Sequence, residues 1–140
     1  MDLGRMIVPM GLTLLLVAGG AGLAAAEECR KLTTPVSGEE RKYSVRAQVD
    51  GTMAFANIPC AVYWRNHELC ATELSSFQFS AMVVDYPSGQ EVLMSDAYYV
   101  VAAPGEKHPI AFADRQAAAA YIAQHGGELL DHQQLLIHSF

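Results

Sequence analysis

The side chains of this chain that could do chemistry are few: three cysteines, Cys29, Cys60 and Cys70, and five histidines, His67, His108, His125, His132 and His138. Thiolates and imidazoles are ligands for soft and borderline metal ions, and thiolate with thioether suits Cu(I). The spacing adds little. The sequence has no Cys-x-x-Cys redox pair, no HExxH helix, no glycine-rich phosphate loop and no nucleophile elbow. Apart from Glu27-Glu28 and Glu39-Glu40 its carboxylates are scattered singly, the pattern of a solvated surface. No catalytic arrangement is visible, and the chain reads as a non-enzyme.

Each candidate has a plain alternative. Cys60 falls one turn into the first expected helix, where it is either a ligand or a small buried apolar side chain. His108, in a loop just before an expected strand, is the best single ligand candidate. Its plain alternative is a solvated loop histidine, and Cys60 and His108 are the two candidate metal residues. His67 and His125 each end a helix, where an imidazole complements the last carbonyls and the dipole. Met53, Met82 and Met94 fall on expected strands and read as core filling. His132 and His138 lie in the tail without recognisable spacing. In an oxidising compartment an odd number of cysteines leaves one thiol free or pairs it with another chain. Cys60 with Cys70 is the pair closest in sequence, and those two thiols also allow a redox reading. Cys29 is expected in a mobile arm.

The elements that must position these residues follow from periodicity and caps. Residues 43–49 alternate, with Tyr43, Val45, Ala47 and Val49 on one face, as in a half-buried strand. Asp50-Gly51 marks a hairpin turn before a returning strand over 52–55. Asn57 is an N-cap, with Pro59 in the first turn of a helix reaching His67. The pattern lapses over 68–76. Strands are expected over 77–85, 91–94, 97–101 and 109–112. Asp114 caps an alanine-rich helix over 115–125, which Gly126-Gly127 stops, and Glu128 begins a last strand. Phe55-Ala56-Asn57, a helix and His67 are repeated as Phe112-Ala113-Asp114, a helix and His125. Two such β-β-α-β units make one α+β domain with helices on antiparallel sheet.

The N-terminus carries an address. Arg5 precedes an uncharged run over 6–26 that is apolar first and then rich in glycine and alanine, ending in Ala24-Ala25-Ala26 before Glu27 and Glu28. This is the pattern of a cleaved secretory signal peptide over 1–26. An uncleaved run is also long enough to span a bilayer, at about 20 residues, and would be the only route to membrane attachment. The two carboxylates before Cys29 break the lipoprotein pattern. Residues 27–42 are polar and read as an irregular arm ahead of a domain over 43–140. A net charge of −6 without a basic cluster excludes nucleic acid as a partner. The expected location is the periplasm or the exterior.

The second half resembles a known family. Val84-Asp85-Tyr86, then Asp96-Ala97-Tyr98-Tyr99-Val100, then Ala111-Phe112-Ala113-Asp114 with Ala118, and His125-Gly126-Gly127-Glu128 look like the NosL family. The resemblance extends through Arg46-Ala47-Gln48-Val49, Phe55, Ile58 and Cys60, and covers about 34–136. NosL proteins are periplasmic copper-binding accessory proteins of nitrous oxide reductase maturation. The resemblance implies two β-β-α-β units, no enzymatic activity, metal carriage and a client metalloenzyme or its maturation machinery as partner. The chain also departs from the family. Where the family carries Cys-x-x-Cys-Gly-Met, this sequence has Thr34-Pro35-Val36-Ser37-Gly38-Glu39, with oxygen in place of sulfur. A Pro-Met-Gly expected after Tyr98-Tyr99-Val100 is replaced by Gly105-Glu106-Lys107-His108-Pro109. The resemblance thus implies an accessory protein with a diverged copper site, or an interaction module that kept the fold without the metal.

Overall fold

The computed structural model describes residues 29–140, so the expected signal sequence lies outside the described residues. After a 3-10 turn at Gly38–Tyr43, the first unit comprises β1 (Val45–Gln48), β2 (Thr52–Phe55), α1 (Ile58–His67), α2 (Ala71–Ser80) and β3 (Met82–Val84). β4 (Glu91–Leu93) and a short 3-10 turn (Met94–Asp96) lead to the second unit. That unit comprises β5 (Tyr98–Val101), β6 (Ile110–Phe112), α3 (Arg115–His125) and β7 (Glu128–Leu130), and α4 (His132–Leu136) follows it.

Two antiparallel sheets result, with strand orders β2-β1-β3-β4 and β6-β5-β7. In each unit the first strand is central. Its hairpin partner lies on one side, and the strand that returns after the helices lies on the other, antiparallel to it. The fold is therefore α+β with the same β-β-α-β plan used twice, as the internal repeat implies. The two sheets meet where β3 ends. Asp85 makes a parallel bridge to Ala111, and the Tyr86 N–H donates to the Ala111 carbonyl at 2.8 Å. The Asp85 carboxylate adds an acceptor for the Ala113 N–H at 2.8 Å.

Both expected caps form. The Asn57 side chain accepts from the Cys60 N–H at 3.0 Å, and that of Asp114 accepts from the Gln116 N–H at 3.1 Å. Each satisfies a helical N–H that has no partner within its own helix. One core serves both units. Val45, Phe55, Ile58, Phe77 and Val83 from the first pack with Tyr99, Val101, Ala111 and Leu130 from the second. A smaller cluster under α3 joins Val100, Ile110, Phe112 and Ala118 to Tyr43.

The segment over 68–85 differs from expectation. It holds a second helix, α2, and the strand shrinks to Met82–Val84. Phe77 is the buried residue of α2, so the helix has no apolar stripe to show in the sequence. It starts instead on a cap: the Glu73 carboxylate reaches back to the Cys70 N–H at 3.2 Å, one half of a capping box. The arm is also partly ordered, through its 3-10 turn and a bridge from Leu32 to Ala54.

Candidate functional site

The strongest polar constellation surrounds Glu106, in the loop between β5 and β6. Ala102, at φ 55°, turns the chain out of β5 into this loop, a conformation uncommon outside glycine and held by the surrounding structure. Glu106 points inward, and its side chain is 6% exposed. It accepts from the Tyr43 hydroxyl and from the Tyr86 hydroxyl, and the Lys42 ammonium lies 3.2 Å away. Burial works against its charge. The two hydroxyls and Lys42 outweigh that and hold the carboxyl below the usual carboxylate range. In return, burial and Glu106 push the Tyr43 hydroxyl up, and Glu106 and burial do the same to Tyr86.

Aromatic rings extend the cluster. Lys42 lies 5.0 Å from the Tyr43 ring and 5.6 Å from that of Tyr86. Tyr86, Phe112 and Tyr121 pack mutually, and Tyr121 carries His125 at 4.5 Å. A carboxylate that is ionised and fully partnered makes a poor general base, because its lone pairs are already engaged. What this arrangement does chemically is brace. It ties the 3-10 turn, the end of β3 and the β5–β6 loop to one buried charge.

The braced loop carries His108, whose ring meets Tyr43 edge-on at 5.3 Å. His108 lines a cleft of about 390 Å³ with Pro59, Val101, Pro109, His138 and Phe140. Cys60, the other expected ligand, has a different environment. It is buried in the main core, and its sulfur is bonded to Cys29 with the α-carbons 5.0 Å apart. Cys60 can therefore offer a thiolate only after reduction. Among the described residues, no three His, Cys, Asp or Glu side chains come together in a group that could hold a metal ion. No family model, curated protein or solved structure matches this chain.

The cysteine pairing departs from proximity in sequence. Cys60 lies in the first turn of α1, and Cys70 lies beyond its C-terminal end. The rest of the helix, from Ala61 to His67, lies between them, about 10 Å along its axis, whereas a disulfide needs α-carbons within about 7 Å. Cys29, expected to be mobile, is the true partner, and Cys70 remains an exposed free thiol. His67 and His125 occupy the last turns of their helices, each against a tyrosine ring of the same helix. Met53 and Met94 are core residues. His132, at the start of α4, is half-buried, and burial pushes its imidazole down with help from Arg65.

Sequence reasoning passed over Glu106 and Tyr86 as site residues. Their partners lie 20 and 63 positions away, so no local spacing announces them. The available signal was a charged residue beside the proline and glycine of the 103–109 loop.

Proposed function

We propose that this chain is an exported accessory protein of the NosL type, a maturation factor that serves a client metalloenzyme or its assembly machinery outside the cytoplasm. The observation that carries the reading is the doubled unit. β2-β1-β3 and β6-β5-β7 share one strand order, with two helices before the third strand in the first unit and one in the second, close to the plan that the resemblance implies. Among the described residues no helix is long and apolar enough to cross a membrane.

Two mechanisms fit that role. In the first the protein carries copper at a diverged site with Cys60 and His108 as ligands. In the second it is an interaction module that kept the fold without the metal. The Cys29–Cys60 disulfide favours the second while the protein is oxidised, because it withdraws the buried sulfur from coordination. Competition with a Cu(I) chelator, on the oxidised and reduced domain, separates them. Uptake of one equivalent that His108→Ala or Cys60→Ser abolishes would favour carriage. No uptake in either state would favour the interaction module. Deleting the gene from its host should leave an exported metalloenzyme under-loaded, and unchanged metal content there would sink the accessory role.

A further inference from the structure

Residues 29–37 form an irregular strap that crosses the outer edge of β2. Its hold on the domain is narrow. The Leu32 N–H donates to the Ala54 carbonyl at 2.8 Å, and the Ala54 N–H donates to the Leu32 carbonyl at 2.9 Å. The Trp64 indole N–H donates to the Cys29 carbonyl at 3.3 Å. The Lys31 ammonium lies 5.9 Å from the Trp64 ring, and the covalent attachment is the bond between Cys29 and Cys60. Arg30, Lys31, Thr33 and Thr34 are exposed. The strap thus occupies backbone groups of Ala54 that would otherwise stand open on an edge strand, and an open edge accepts a further strand through main-chain bonds.

The two sulfurs are unequal. Cys60 is 3% exposed and built into the core, whereas Cys29 is only partly buried. An incoming thiolate therefore meets the Cys29 sulfur, and the Cys60 sulfur is the leaving group. Cys60 leaves from the first turn of α1, where the helix N-terminus offsets part of the cost of a thiolate in the core.

We propose that the Cys29–Cys60 disulfide is a redox latch, whose reduction releases the strap and uncovers the outer edge of β2. The reductant is a dithiol. Its first thiolate attacks Cys29, forming a mixed disulfide and expelling the Cys60 thiolate, which takes a proton. Its second thiolate attacks the reductant's own sulfur in that mixed disulfide. The reductant leaves as its intramolecular disulfide, and the Cys29 thiolate is protonated. Two electrons and two protons pass to the protein, and the rest of the fold keeps its packing. The latch requires an oxidising compartment but is independent of whether the domain carries copper.

Hydrogen exchange of the Ala54 amide reads the latch directly. The full chain is compared oxidised, after incubation with dithiothreitol without denaturant, and as Cys29→Ser. Reduction and the substitution should each speed Ala54 exchange by about ten-fold or more, while amides of the central strands β1 and β5 keep their protection. Three results would overturn the proposal. The first is a disulfide that dithiothreitol leaves intact under native conditions. The second is an Ala54 amide equally protected with both thiols free. The third is protection lost across β1 and β5 together, which would make the disulfide a staple of the whole fold.

Discussion

The hydroxyl of Tyr86 donates to the carboxylate of Glu106 at 2.9 Å, joining the end of the first unit to the loop inside the second. The Tyr43 hydroxyl reaches the other carboxylate oxygen, so both oxygens of one buried group are engaged across the unit boundary. Hydrogen bonds to a charged group contribute about 1.5–3 kcal/mol each when one partner is removed. Glu106→Gln keeps the size and removes the charge. It should lower unfolding stability by about 2 kcal/mol, measured by urea denaturation. Stability unchanged within error would show that the brace is passive.

The same carboxylate sets a pH dependence. Its partners hold the folded pKa below the unfolded one, near 4.3 for a glutamate. The stabilisation is therefore complete above that unfolded value and is lost as pH falls through the lower folded value. Thermal melts from pH 6 downward should show the native protein losing stability more steeply than Glu106→Gln in the acid range. Parallel curves would place the acid sensitivity elsewhere, with Glu91 the next group to test, since Arg46 holds that carboxyl down as well.

The two helix caps are separable from this brace. Asn57→Ala and Asp114→Ala each remove an acceptor from an N-terminal N–H, and each should cost about 1 kcal/mol. The sites lie on different units, so the double variant should cost about their sum. A markedly smaller double effect would mean that the two caps are coupled through the shared core.

Those caps also explain what could be read beforehand. Asn57 and Asp114 stand ahead of runs whose start and stop residues are local, so α1 and α3 were legible from neighbouring side chains. So was the doubling, because Phe55-Ala56-Asn57 and Phe112-Ala113-Asp114 repeat it in writing. α2 was not, since Phe77 supplies its buried contact and the apolar run over 81–84 drew the expected strand back into the helix. Cys29 and Glu106 escaped for a different reason. Each meets its partners only once the chain has folded back across more than twenty residues to at least one of them.

Two glycines with positive φ should respond differently to the same substitution. Gly51, at φ 88°, turns the β1–β2 hairpin, and an added Cβ there meets nothing within 4 Å. Gly51→Ala should therefore cost about 1 kcal/mol, for the conformation alone. Gly127, at φ 114°, enters β7 with its Cβ position 2.8 Å from Val100 Cγ1 and 3.0 Å from the Val101 carbonyl oxygen. Conformation and overpacking add there, for roughly 2–4 kcal/mol. Urea unfolding of both variants checks the ranking, and equal losses would mean that β7 shifts to make room.

The thiols test export and pairing together. An exported chain cleaved after Ala26 begins at Glu27, two residues before Cys29 and the strap, and it folds in a compartment that oxidises cysteine. Native protein recovered from that compartment and treated with iodoacetamide without reductant should carry one modification, on Cys70, the exposed free thiol. Proteolysis should release a cross-linked pair containing Cys29 and Cys60. The helix between Cys60 and Cys70 separates their α-carbons beyond the reach of a disulfide, so a Cys60–Cys70 cross-link would require α1 to unwind and would overturn the structure at that point. Three modified cysteines on a chain that still begins at Met1 would instead mean that the leader is retained and the protein never met the oxidising side.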